Sequence, residues 1–269
     1  VIPLFLDDPR LEGMVAFLGG PYSNHLALRA ASEDARRRGA AMIFCLGDLG
    51  GFGPNPGKVF PILDEFGIVT IAGNYDQSLA ERRADCGCGY THPSDNHFAQ
   101  LSYEYTDHRT SASDRERLRA LPGVIRFTRG GRRVLLCHGS PRKINEFLWE
   151  SASSDGFLAR LLREAEADTV LCAHTGIQWQ RLLPEGGRLI NVGAVGRPAN
   201  DGRVETWYAL LEEGRDEARF IPVAYDHESL AREMEEEALP PEFVATIRTG
   251  WWTTCLEILP AKERARGKF

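Results

Sequence analysis

An α/β fold is predicted by three features of the sequence. Short apolar runs of β type alternate with amphipathic helical stretches over the first third of the chain. Glycine-bearing blocks close those runs, and the second half turns to further strands, several joined by Gly-rich turns.

Met14-Val15-Ala16-Phe17-Leu18 opens the pattern as a strand, and a helix follows from about Asn24 to Arg38. Ser23 or Asn24 suits its cap, because a short polar side chain there accepts from the unpaired N–H groups of the opening turn. Met42-Ile43-Phe44-Cys45-Leu46 is the second strand, a further helix follows Pro56, and Ile68-Val69-Thr70-Ile71 is the third strand. Gly19-Gly20, Gly47-Asp48 and Gly73-Asn74 end these strands, the place where α/β proteins hold their ligands. From Asp85 to His97 the pattern breaks into an irregular insert loop, and helical segments resume through Tyr105 and from Ser113 to Ala120.

Val124 to Thr128, Arg133 to Cys137, Val170 to Cys172, Arg188 to Val192, Trp207 to Leu211 and Phe220 to Tyr225 read as strands. Arg129-Gly130-Gly131 and Glu185-Gly186-Gly187 predict antiparallel hairpins, while Ile144 to Ala167 reads as mostly helical. From His227 the tail carries a charged helix, a break at Pro240-Pro241, a second helical stretch and Gly250-Trp251-Trp252. The expected division is a main domain at 1–226 and a helical extension at 227–269 packed on it. Trp251-Trp252 would clasp the tail to the body or to a second subunit, so a homo-oligomer is allowed.

The 269 residues, 43% hydrophobic, suffice for one cored domain with extensions. The formal charge is −6, and Lys and Arg are dispersed, leaving no electrostatic footprint for nucleic acid. No apolar run approaches the roughly 20 residues that span a bilayer, and the stretch Val1 to Leu6 lacks the basic leader of a signal peptide. Cys45, Cys137 and Cys172 lie in or beside apolar runs, unlike a secreted disulfide framework, so the expected setting is the reducing cytoplasm.

Four side chains able to bind metal follow predicted strands: Asp48 in Leu-Gly-Asp-Leu-Gly-Gly, Asn74 in Gly-Asn-Tyr-Asp, His138 in Cys-His-Gly-Ser-Pro and His174 in Ala-His-Thr-Gly. One carboxylate, one amide oxygen and two imidazoles suit Mn, Fe, Zn or Ni better than calcium.

In order and context these blocks resemble those of the calcineurin-like metallophosphoesterases, in particular a compact bacterial branch. Gly47-Asp48-Leu49-Gly50-Gly51-Phe52-Gly53-Pro54 is similar to that branch's Gly-Asp-Leu-Val-Gly-Tyr-Gly-Pro. His138-Gly139-Ser140-Pro141-Arg142 matches as well, and Asn191-Val192-Gly193-Ala194-Val195-Gly196-Arg197-Pro198 resembles Asn-Pro-Gly-Ser-Val-Gly-Gln-Pro. The resemblance implies a four-layer α/β/β/α sandwich of two mixed sheets flanked by helices, with a two-metal site at the strand ends.

The departures fall on one side of that site. The family's first block is Asp-x-His-Gly-Asn-x-x-Ala-Leu, and Asn24-His25-Leu26-Ala27-Leu28 sets the register, so Gly20 stands for the Asp and Tyr22 for the His. Gly176 stands for the second His of Gly-His-Thr-His. All three replaced residues would serve the first metal, whereas Asp48, Asn74, His138 and His174 match the second-metal set in full. Of the roughly 35 ways to remove three ligands from seven, one empties one ion's set and spares the other. Tyr75 replaces a His that the family uses on the leaving group, and a phenol is a poor acid at neutral pH.

The expected function is therefore hydrolysis of a phosphoester of a small metabolite by one divalent transition metal, with the second-metal site absent. Asp48, Tyr75 and Tyr22 are its catalytic candidates, and Arg142 and Asn74 contact substrate. Arg197 is a further guanidinium able to meet phosphate. A catalytically degenerate scaffold of the same fold is the alternative; a mononuclear iron protein using Tyr22 or Tyr75 is a further one. Cys86-Gly87-Cys88 with His92 and His97 has a spacing that permits a small zinc or redox site.

Overall fold

A computed structural model describes residues 3–266; Val1 and Ile2 of the N-terminal stretch, and 267–269 of the tail, lie outside it. The first half of the chain supplies β1 (Leu4–Phe5), β2 (Val15–Leu18), β3 (Met42–Cys45) and β4 (Val69–Thr70). The second half supplies β5 (Ile125–Arg129), β6 (Arg132–Leu136), β7 (Thr169–Cys172), β8 (Gln178–Leu182), β9 (Arg188–Val192), β10 (Thr206–Leu211) and β11 (Ala218–Val223). They form two mixed sheets, ordered β1-β5-β6-β7-β9-β8 and β11-β10-β2-β3-β4.

Strands as uniformly apolar as Val15–Leu18 and Met42–Cys45 exist because both their faces are covered. Side chains alternate sides along a strand, so Val15, Phe17, Met42 and Phe44 point between the sheets, where they meet Phe127, Val134, Leu136, Ile190 and Val192. Ala16, Leu18, Ile43 and Cys45 point outward to helices on one flank. Leu135, Val170, Cys172 and Leu189 do the same on the other flank. The result is the four-layer sandwich, with β2, β3 and β4 parallel in one sheet and β6, β7 and β9 parallel in the other.

On the first flank lie α1 (His25–Arg37), α2 (Val59–Phe66), α3 (Asn74–Glu81), α4 (Pro93–Arg109) and α5 (Ala112–Arg119). Asn24 Oδ1 caps α1 by accepting from the Ala27 N–H at 3.0 Å, and Ala27, Leu28, Ala31 and Ala35 make its buried stripe. The other flank is covered by α6 (Asp155–Glu164), and the tail adds α7 (His227–Glu236), α8 (Pro241–Thr249) and α9 (Ala261–Ala265). Leu230, Met234, Phe243 and Ile247 of the tail pack with Leu26, Phe52, Phe98 and Tyr105 of the body. Trp252 packs with Trp149 and Ile177 and donates from Nε1 to the Pro198 carbonyl at 2.7 Å. Among the described residues no helix is long and apolar enough to cross a membrane.

Three readings are corrected. The stretch 144–167 is helical only at Asp155–Glu164, because Ser154 caps there and the apolar side chains before it, Phe147 and Trp149, line a cavity instead of a helix face. The irregular segment after Asp85 ends earlier than His97: His92 caps α4 through Nδ1, and Pro93 fits its first position. The pairs β5–β6 and β8–β9 are antiparallel hairpins at the predicted Gly-Gly turns, but strands Gln178–Leu182 and Leu4–Phe5 are additions.

Candidate metal centre

Asp48 follows β3, Asn74 follows β4, His138 follows β6 and His174 follows β7, so both sheets deliver side chains to one rim. Asp48 (φ 57°) and His174 (φ 66°) sit in left-handed backbone, as does Tyr22 (φ 48°) after β2. That conformation costs an ordinary residue roughly 1–2 kcal/mol. Buried Asp76 helps to hold it, accepting the N–H groups of Asp48 (2.7 Å), Leu49 (2.9 Å) and Gly73 (2.8 Å) and so tying the loops after β3 and β4 together. Burial and the neighbouring Asp48 charge push the Asp76 carboxyl up to about 7.

His138 Nδ1 donates to the Leu46 carbonyl at 2.5 Å, so Nε2 is the ring atom turned toward Asp48 and His174. That Nε2 lies 3.1 Å from Asp48 Oδ2 and 3.2 Å from His174 Nδ1. The ligand atoms of Asp48, His138 and His174 all fall within 4.8 Å of one another. Asn74 Nδ2 donates to the Cys86 carbonyl at 2.9 Å, which fixes the amide and leaves Oδ1 buried without a partner among the described residues. His174 Nε2 is also buried and unpartnered, with the Phe147 ring centred 4.2 Å from its own.

Burial pulls His138 down, but the Asp48 carboxylate outweighs it and holds the imidazole above its ordinary value. Asp48 is held below the usual carboxylate range by His138, against burial. Burial and the His138 charge drive His174 down to about 3, so its imidazole is neutral. A close carboxylate, two histidines and an orphaned amide oxygen are a donor set that a divalent transition ion completes.

Residues 23–215 match the family model of the calcineurin-like phosphoesterase superfamily domain. The chain belongs to that superfamily. An uncharacterized protein of Methanocaldococcus jannaschii, MJ0912, is 25% identical over 246 residues, covering 86% of this chain and 95% of its own. The crystal structure of PH1004 from Pyrococcus horikoshii OT3 superposes with TM-score 0.75 at 22% identity, over 89% of this chain and 99% of that one. A metallophosphoesterase from Sphaerobacter thermophilus gives 0.68 at 23%, over 88% and 99%. Superfamily membership places the chain among metal-dependent phosphoester hydrolases, and the triad of Asp48, His138 and His174 is where it gathers ligands.

At the positions where the superfamily resemblance places first-metal ligands, other groups fill the space. A Cβ at Gly20 would stand 2.8 Å from Tyr22 Cζ and 2.9 Å from Cδ1, so the phenol ring lies where an Asp side chain would start. A Cβ at Gly176 would meet the Trp252 ring at 3.1 and 3.2 Å, and φ there is +74°. Burial and the Asp48 charge push the Tyr22 phenol up, so it stands protonated. Tyr75 donates from its hydroxyl to Ser102 Oγ at 2.8 Å, and burial pushes its phenol up as well.

Arg142 is elsewhere: its Nε donates to Glu146 at 2.8 Å and its guanidinium stacks 4.9 Å over Phe157, an exposed pairing away from the cavity. Arg197 is the guanidinium that lines the cavity. Of the zinc and redox arrangements that the Cys86-Gly87-Cys88 spacing permits, the structure has the two sulfurs joined as a disulfide, with His92 engaged with Ser94. The cavity has about 80 Å³ of open volume and is also lined by Tyr90, Phe147, Trp149, Phe243 and Trp252. Sequence reasoning missed these as site residues, since three come from loops and two from the tail, with no motif to place them.

Proposed function

We propose that the protein hydrolyses a phosphoester of a small metabolite with one divalent transition ion held by Asp48, Asn74, His138 and His174. One observation carries the reading: Asp48, His138 and His174 bring ligand atoms within 4.8 Å of one another, while Tyr22 and Trp252 fill the space beside Gly20 and Gly176. When bound, the ion supplies Lewis-acid charge to a phosphoryl oxygen and to the attacking water.

The chain's own residues set the rest. Leu46 orients the His138 ring by accepting from Nδ1, so Nε2 would be the atom that holds the ion. Tyr22, a phenol beside Asp48, is a hydrogen-bond donor for a substrate oxygen. Tyr75 already donates to Ser102 and serves as wall and support, so protonation of the leaving group falls to water. Phe147, Trp149 and Phe243 exclude bulk water, which strengthens each polar contact inside.

The test is elemental analysis of purified protein beside hydrolysis of a phosphomonoester and phosphodiester panel. One Mn, Fe, Zn or Ni per chain is expected, with at least about tenfold weaker retention in His138→Ala and His174→Ala. A metal-free wild type, or unchanged metal content in both variants, overturns the reading. Bound metal with no turnover on any ester points to the catalytically silent scaffold.

A further inference from the structure

Arg197 leaves β9 in the turn Gly193-Ala194-Val195-Gly196, and that turn is pinned to the loop after β2. Gly20 and Ala194 pair as a parallel bridge, and the Gly196 N–H donates to the Gly20 carbonyl at 2.8 Å. The guanidinium is thereby brought into the cavity that Asp48, Tyr22 and His174 share, yet Arg197 is only 8% exposed. Nη2 donates to the Thr254 carbonyl at 2.9 Å, and among the described residues Nε is buried with no hydrogen-bond partner. Burial pulls the guanidinium down from its ordinary value, and among the described residues no carboxylate forms an ion pair with it. Its support is aromatic: Cζ lies 3.9 Å over the Trp252 ring and 5.0 Å from the centre of Phe52.

A guanidinium stays charged in any protein environment, and a buried charge is tolerated when something opposite completes it. Exposed arginines of this chain have such partners, as Arg142 has Glu146 and Arg133 has Asp168. Arg197 has an aromatic shelf and a free N–H instead. The shelf is Trp252, the same ring that occupies the space beside Gly176. Trp252 thus both fills the space beside Gly176 and supports the guanidinium.

We propose that Arg197 is the second positive charge of the site, a clamp that donates to a phosphoryl oxygen of the ester held at the ion. The proposal rests on the one-ion reading above and assigns the work of the missing ion to a side chain. Nε and the rest of the fork match an oxyanion, and the fixed position on Trp252 removes the cost of ordering a flexible arm. The open volume of about 80 Å³ is small beside the roughly 300–1,000 Å³ of sites that enclose a drug-sized ligand. What the clamp takes whole is a phosphoryl group, the remainder of the metabolite reaching outward.

The probe is inorganic phosphate, titrated calorimetrically into the full chain, both Mn²⁺-loaded and chelator-treated. Arg197→Gln, which restores the residue of the resembling motif, is expected to weaken phosphate at least about tenfold in both states. Mn²⁺ stays at one per chain. Arg197→Lys keeps charge and stem without the fork and falls between the two. With p-nitrophenyl phosphate, kcat/KM of Arg197→Gln falls by the same factor or more.

Unchanged phosphate affinity in a variant that melts like wild type overturns the clamp, as do two Mn²⁺ per wild-type chain. Should neither variant fold, wild type that takes no phosphate overturns it too, while phosphate that raises the melting temperature of chelated wild type supports it. The two readings separate: one Mn²⁺ with Arg197-independent phosphate sinks the clamp alone. Arg197-dependent phosphate without any Mn²⁺ binding sinks the one-ion reading alone.

Discussion

At the scale of single residues, Gly20 and Tyr22 are coupled. The phenol ring lies where any β-carbon at position 20 would stand, so position 20 takes a side chain only if the ring at 22 moves or is replaced. Gly20→Asp alone is therefore expected to cost about 1–3 kcal/mol through overpacking. In urea unfolding, the Gly20→Asp/Tyr22→Ala double variant should be less destabilised than the sum of its singles by about 0.5–3 kcal/mol; additive losses would show that the ring yields freely. The two arginines teach the limit of reading residues from order alone. Arg142 follows a ligand motif directly and looked the better phosphate contact, whereas its four-residue spacing to Glu146 gives it a surface partner. Arg197 became a cavity residue through Trp252, more than fifty positions later, a pairing that no local pattern encodes.

Among the elements, legibility followed burial. The strands buried along their whole length, β2, β3 and β7, and the buried end of β6 carry apolar runs, and each ligand stands just beyond one or beside β4. The edge strand β8, Gln-Trp-Gln-Arg-Leu, buries only Trp179 and exposes Leu182, so it carries too weak a strand signal to separate from the turn before it. Asp168, at the start of β7, shows how the ligand-bearing strands are kept in register. It accepts from the Arg133 N–H at 2.8 Å and from the Arg133 guanidinium at 2.9 Å, and its carbonyl accepts from Arg188 at 3.0 Å. The Arg133 side chain and N–H hold its carboxyl down at about 2, against an ordinary 3.8. A lowered folded-state pKa means that the unfolded chain binds the proton more readily. The stabilisation is complete above 3.8 and is lost as pH falls toward about 2. Asp168→Asn should thus melt lower than wild type at pH 5 and approach it at pH 2 by scanning calorimetry. A gap that does not narrow on acidification would place the effect in packing.

For the whole molecule, the tail is part of the site, because Phe243, Trp252, Thr254, Cys255 and Ile258 form one side of the cavity wall. The motifs made the rim legible, since ligands at strand ends are short-range features, but the wall depends on where the tail folds back. On the one-ion reading, three side chains would keep a second ion out: the Tyr22 ring at position 20, the Trp252 ring at position 176, and the Arg197 cation between aromatic faces. Removing all three obstacles while restoring ligands calls for Gly20→Asp, Tyr22→His, Gly176→His, Trp252→Leu and Arg197→Gln together. A side chain at position 176 takes on left-handed backbone, at roughly 1–2 kcal/mol. Replacing Trp252 by Leu loses less than the about 3–5 kcal/mol of truncation to Ala. That total is a large part of the 5–15 kcal/mol typical of a domain, so a lower melting temperature is expected, partly regained as Mn²⁺ is added. Elemental analysis should rise from one Mn²⁺ per chain to two, with phosphate binding now lost on chelation because no guanidinium remains to hold it. A folded variant that still binds a single Mn²⁺ would show that the ion is excluded by something other than these three side chains.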